Sequence, residues 1–204
     1  MAPVIPKPER IREFRTQSAF ETWLRSNHDT EDEIWLKIHK KGSGLPTVTA
    51  SEALDVALCW GWIDGIRKSF DDKSFLQRYT PRRPKSIWSQ INREHIERLT
   101  ADGRMTPHGQ KQVDAARADG RWEAAYGGRS RMEFPADLLA AINAEPKASK
   151  MLARLNATNR YALAFRTNNM KTPAGRERKI RTFVDMLKRG ETIYPNGGGA
   201  KKGS

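Results

Sequence analysis

The 204-residue sequence predicts an α+β fold: a small antiparallel-rich sheet packed with helices in the N-terminal part, then an all-helical C-terminal part. Three observations predict it. Strand-forming patterns are confined to residues 33–80. Amphipathic stripes of helical period surround them. Beyond Pro135 only the helical pattern remains.

In chain order, Pro3, Pro6 and Pro8 without periodicity predict an extended arm over residues 1–14. Ser18 and Glu21 have the spacing of a capping box for a helix over 18–26, whose stripe is Phe20, Trp23 and Leu24. Ile34, Leu36 and Ile38 alternate with Trp35, Lys37 and His39, the period of a half-buried strand. Thr49 and Glu52 repeat the capping-box spacing before a helix bearing Ala53, Leu54, Ala57 and Leu58, with Gly61 as its terminator. Trp62–Phe70 and Lys73–Thr80 predict a hairpin turning at Asp71 and Asp72. Trp88, Ile91, His95 and Leu99 mark a helix over 86–101, and Thr106 with Pro107 opens another to Ala118. Gly127 and Gly128 mark a boundary. Helices follow over 136–143, 146–155, 158–168 and 173–189. The expected organisation is the arm, an α+β domain over 15–128, a helical module over 129–190 and a flexible tail over 191–204.

The chain carries 37 Lys and Arg against 24 Asp and Glu, a formal net charge of +13. The excess is local. Residues 1–146 hold 23 basic and 21 acidic residues, whereas 147–189 hold 12 basic residues against Glu177 and Asp185. Such a segment suits an anionic partner, whether nucleic acid, acidic protein or anionic lipid surface. Arg176, Arg178, Lys179, Arg181 and Lys188 are its candidate contact residues on the last helix. No apolar run approaches the roughly 20 residues of a membrane span, and the first fourteen residues place charges where a secretory signal is apolar. With the single Cys59 unable to form an internal disulfide, a cytoplasmic location is expected. His28, His39, His95 and His108 lack ligand spacing and no Cys-x-x-Cys occurs, so no metal and no cofactor are expected. Cys59 reads as a core residue. Lys40–Gly44 lacks phosphate-loop spacing and reads as a turn.

Two places carry chemistry. Asp64 shares a strand face with Trp62 and Ile66, and a carboxylate among apolar neighbours needs a partner. Arg82 and Arg83 follow the returning strand, so Asp64 forms either a structural ion pair or one side of a ligand-facing Asp–Arg constellation. The segment Arg78–Ser89 gathers basic residues, hydroxyls and Trp88 before a helix that Ser86 would cap. Helix N-terminal amides favour anions, and Arg82 or Arg83 can grip a phosphate or carboxylate with two parallel hydrogen bonds. A solvated basic turn is the alternative.

Trp60-Gly61-Trp62-Ile63-Asp64-Gly65, Pro81-Arg82-Arg83, Ser86-Ile87-Trp88-Ser89, Asn92 and Gly103–Gly109 occur here in an order that resembles the YdeI/OmpD-associated family of bacterial proteins, over about residues 20–190. The helical end, with Tyr161 and Arg176–Ile180, is similar to that family's bacteriocin-protection (OmdA-type) C-terminal module. The resemblance implies a link to tolerance of bacteriocins and cationic antimicrobial peptides, and no established reaction or cofactor. Two functions remain open. One is a non-catalytic binding protein, with Trp62, Asp64, Arg82, Arg83, Ser86, Trp88 and Asn92 around a small anion or a protein terminus. The other is an enzyme of unknown reaction, with Asp64 as acid–base group and Arg82, Arg83, Ser86 and Asn92 positioning an anionic substrate. Binding is favoured because no substrate is indicated.

Overall fold

A computed structural model describes residues 4–127 and 133–196 and divides into two units, Met1–Tyr126 and Gly127–Ser204. The first unit holds strands β1 (Ile11–Arg12), β2 (Ile34–His39), β3 (Trp62–Ser69) and β4 (Ser74–Pro81) in the order β1-β2-β4-β3. All pairings are antiparallel except β1 with β2. The β3–β4 register shifts between Asp64, opposite Tyr79, and Arg67, opposite Gln77. This bulge sets Asp64 and Arg67, three residues apart, on one face.

Helices α1 (Gln17–Asn27) and α2 (Ala50–Cys59) close a core of Phe20, Leu24, Leu36, Val56, Trp62 and Tyr79. Helices α3 (Gln90–Ala101) and α4 (Pro107–Ala118) build a second core on Trp88, Leu99, Val113 and Trp122. The capping box of α2 forms as the sequence predicts: the Thr49 N–H donates to Glu52 and the Glu52 N–H to Thr49. Gly61 ends α2 in the left-handed region at φ 75°. Gly109 is fixed by approach rather than torsion. A Cβ there would meet the Leu58 carbonyl oxygen at 2.7 Å and the Cys59 oxygen closer still.

Several expectations are corrected. Thr16, not Ser18, caps α1, accepting from the Ala19 N–H. The segment expected as an arm contributes a 3-10 turn, Pro8–Arg10, and β1. Strand β2 is buried on both faces rather than one. Ile11 pairs beside Trp35, and Glu13 reaches back to accept from His39 Nε2 at 2.7 Å. Helix α3 starts at Gln90 under the Ser89 cap, so Ser86 caps nothing.

Among its described residues the second unit is helical: α5 (Ala136–Asn143), α6 (Pro146–Arg154), α7 (Ala157–Asn168) and α8 (Pro173–Lys188). They enclose Leu138, Ile142, Leu152, Leu163, Phe183 and Leu187. The first part of the predicted tail is not free. Asn196 Oδ1 accepts from the Asn156 N–H at 2.8 Å, and the Tyr194 N–H donates to Asn159 at 3.0 Å. Residues 197–204 lie outside the described residues. No helix among the described residues is long and apolar enough to cross a membrane.

Candidate functional site

Arg82 and Arg83 are neighbours in sequence and opposites in environment. Arg83 is exposed, whereas Arg82, just past β4, is 7% exposed with its guanidinium 3.5 Å above the Trp88 ring. Among the described residues the Arg82 side chain makes one hydrogen bond, from Nη1 to the Ile87 carbonyl at 3.3 Å. Its Nε is buried without a partner, and no carboxylate pairs with it among the described residues. Burial pushes its pKa down to about 10; the nearby Tyr126 pulls it up, Arg121 pushes it down and Asp64 pulls it up. It is cationic at neutral pH.

Arg121, beyond α4, donates from Nη1 to the Ser86 carbonyl at 2.9 Å and from Nε to Asp119. Trp122 stands edge-on to Trp88 at 5.0 Å, and Arg93 and Arg117 each lie 5.1 Å from its ring. The Tyr126 N–H donates to the Trp88 carbonyl at 3.0 Å, fastening this segment beside Trp88.

Asp64 has solvent access and pairs with neither Arg82 nor Arg83, so the structural ion pair considered from sequence is not formed. The dense protein around its carboxyl desolvates it and raises its pKa, against the pull of Arg82, Arg67 and His95. Trp62 is elsewhere, buried in the first core with Nε1 donating to the His28 carbonyl at 3.1 Å. Ser86 offers its carbonyl to Arg121. Asn92 is half-buried, and its backbone N–H donates to Ser89 Oγ. The candidate anion site thus narrows to Arg82 and Trp88, with Asp64 in electrostatic reach.

Sequence reasoning missed Arg121; its signal was an Arg-Trp pair directly after a helix stop. It also missed Asp55, a lone acid inside the apolar run Leu54–Leu58. Asp55 accepts from His95 Nδ1 and from Arg98 Nη2, both at 2.7 Å. Burial alone would raise its pKa, but the hydrogen bonds from Arg98 and His95 outweigh it and hold the carboxyl below its ordinary value. The Trp60–Trp62 and Thr106–Gly109 motifs serve packing. Thr106 Oγ1 donates to the Cys59 carbonyl at 2.5 Å, and His108 stacks on Trp60 with ring centroids 5.6 Å apart. Cys59 is buried, and burial pushes its thiol up to about 11. No cluster of three or more His, Cys, Asp or Glu able to hold a metal occurs among the described residues.

Residues 12–112 match a domain of unknown function (DUF8412). Residues 131–190 match the family described as bacteriocin-protection, YdeI or OmpD-associated. The helical module is thus similar in sequence to the YdeI/OmpD-associated family. No curated protein and no solved structure matches the chain.

Within this OmdA module the predicted basic face of α8 is largely neutralised. Arg176 pairs with Asp137 at 2.6 Å, Arg181 with Glu177 at 3.1 Å and Lys188 with Glu145 at 3.1 Å. Lys179 lies 5.7 Å from the Phe183 ring. Arg178 has no carboxylate partner among the described residues. On α6, Lys147, Lys150 and Arg154 are exposed, and none is paired with a carboxylate among the described residues. Their spacing sets all three on one helix face.

Proposed function

We propose that this chain is a non-catalytic binding protein. Its α+β unit holds a small anion at Arg82, its OmdA module meets an anionic partner, and the family link connects both to bacteriocin tolerance. One observation carries the reading: Arg82 is a buried guanidinium with an orphaned Nε and no carboxylate partner among the described residues. Removing such a charge from water costs several kcal/mol; the Trp88 ring and the Ile87 carbonyl offset that cost without supplying a counter-charge, and a bound oxyanion supplies both charge and acceptors. Thermal denaturation with sulfate, acetate and phosphate tests it. At about 100 times Kd an anion adds about 2.7 kcal/mol of stability, so a rising Tm in the parent and a flat one in Arg82→Met is expected. A flat Tm in both refutes the site.

The enzyme reading rests on Asp64, an unpaired carboxyl with a raised pKa beside an anion site, as a general acid–base group requires. Asp64→Asn separates the readings, because it abolishes turnover in an enzyme and leaves anion binding intact in a binding protein.

A further inference from the structure

Arg82 and Arg121 come from different parts of the chain and end on consecutive carbonyls, Ile87 O and Ser86 O. Each commits Nη1 to its carbonyl. Neither Nη2 has a partner among the described residues. Arg121 spends Nε on Asp119, whereas the Nε of Arg82 is orphaned. The two guanidiniums are therefore close enough to feel each other's charge, with Arg82 resting on the Trp88 ring. Arg93 and Arg117 add positive charge over Trp122, and exposed Arg83 and Lys85 follow Arg82 in sequence. Asp119 already meets the charge of Arg121 at 2.7 Å, but Arg82, Arg93 and Arg117 have no carboxylate partner among the described residues, so a monoanion leaves positive charge uncompensated. A phosphoryl dianion compensates two of these charges and has the oxygens to accept from each free Nη2.

We infer that the ligand of this site is a phosphomonoester or free phosphate bound as the dianion, with Arg121 as its second arm. The inference rests on the reading of Arg82 as an anion site and adds the class of ligand. A phosphomonoester loses its second proton near pH 6, so its dianion fraction rises about tenfold between pH 5 and pH 7.5. A sulfate monoester stays a monoanion throughout. That makes methyl phosphate and methyl sulfate a matched pair: titration of Asp64 or any other protein group moves both probes, and only the phosphate reports its own charge.

The experiment is calorimetric titration of the full chain with each probe at pH 5 and pH 7.5. The expected result is methyl phosphate affinity rising about tenfold relative to methyl sulfate across that interval. At pH 7.5 Arg121→Gln is expected to lose about tenfold in methyl phosphate affinity, and Arg121→Lys, which keeps the charge and the fold, to lose less. Equal affinities for the two probes at pH 7.5, or no change in their ratio with pH, overturn the dianion and leave the anion site standing. Unchanged methyl phosphate binding in both Arg121 variants overturns the second arm. Binding of neither probe overturns the inference and the anion site together. Where methyl phosphate binds, phosphatidic acid vesicles and an oligonucleotide with or without a 5′-phosphate tell a lipid headgroup or a nucleic-acid end from a free metabolite.

Discussion

Arg82→Met gives the sharpest test of whether the buried guanidinium is there for structure or for a ligand. Depression of the Arg82 pKa to about 10 corresponds to about 3 kcal/mol lost by the charged form on folding. The Trp88 contact returns up to about 2 kcal/mol when desolvated. The bond to Ile87, long at 3.3 Å, adds about 1 kcal/mol. These contributions nearly cancel. Methionine keeps the apolar stem and lays a polarizable sulfur near the Trp88 ring, so the variant's stability should lie within about 1 kcal/mol of the parent, a Tm change of about 5 °C or less. A buried arginine in a working ion pair costs about 3–5 kcal/mol when removed. Calorimetric or circular-dichroism melting of the ligand-free protein at pH 7 reads the difference. Stability near or above the parent, with anion binding lost, is the expected outcome; a fall beyond about 10 °C makes Arg82 a structural residue and refutes the reasoning. The sign in pH is also fixed. The penalty is fully present below pH 10, and stability rises with pH above it, because the unfolded chain holds that proton more firmly.

Asp55→Ala strands His95 and Arg98 and should cost about 3 kcal/mol, read as a lower denaturation midpoint with an unchanged slope. Because Asp55, Glu13 and Asp137 all have depressed pKa values, the stability they contribute is present above the ordinary carboxylate range and lost as pH falls through the depressed values; an acid titration of Asp55→Ala should be flatter than the parent's. Gly109→Ala drives a Cβ against the backbone carbonyls of Leu58 and Cys59, and a Tm loss of less than about 5 °C would show that α4 shifts freely on α2. Replacing Lys147, Lys150 and Arg154 by Gln should flatten the log–log salt dependence of duplex binding by about 2.7 if each meets a phosphate. A larger effect from Arg178→Ala, Lys179→Ala and Arg181→Ala would return the partner surface to α8.

Elements were legible wherever a local signal coincided with a local cause. The Thr49–Glu52 box, Gly61 at positive φ, the Asp71–Asp72 turn and the helices after Pro135 all depend on residues within a few positions of one another. What escaped was set by distant chain. Strand β2 gains Ile11 as a strand neighbour and Glu13 as the partner of His39, both more than twenty residues away, and alternation alone cannot announce such neighbours. The site divides in the same way. Arg82 and Trp88 lie in one short segment and were read together, whereas Arg121 reaches them only because α4 returns the chain to Ser86. Pairing adds what charge counting cannot: α8 bears the densest cations, and Asp137, Glu177 and Glu145 reach three of them, whereas those of α6 have no carboxylate partner among the described residues.

The conflict at Arg82 runs across levels. Local pattern, capping and packing in the first unit agree with one another, as they do in a sequence that specifies a single fold. Arg82 sets a charge into an apolar place without a carboxylate partner among the described residues, and Arg121, itself paired with Asp119, ends on the adjacent carbonyl. An ion pair with Asp64 was available to the chain, since Asp64 and Arg82 leave adjacent strands of one hairpin and feel each other's charge. The fold does not form it. A structural role would be served better by closing that pair, so leaving it open makes sense where the missing charge arrives from outside.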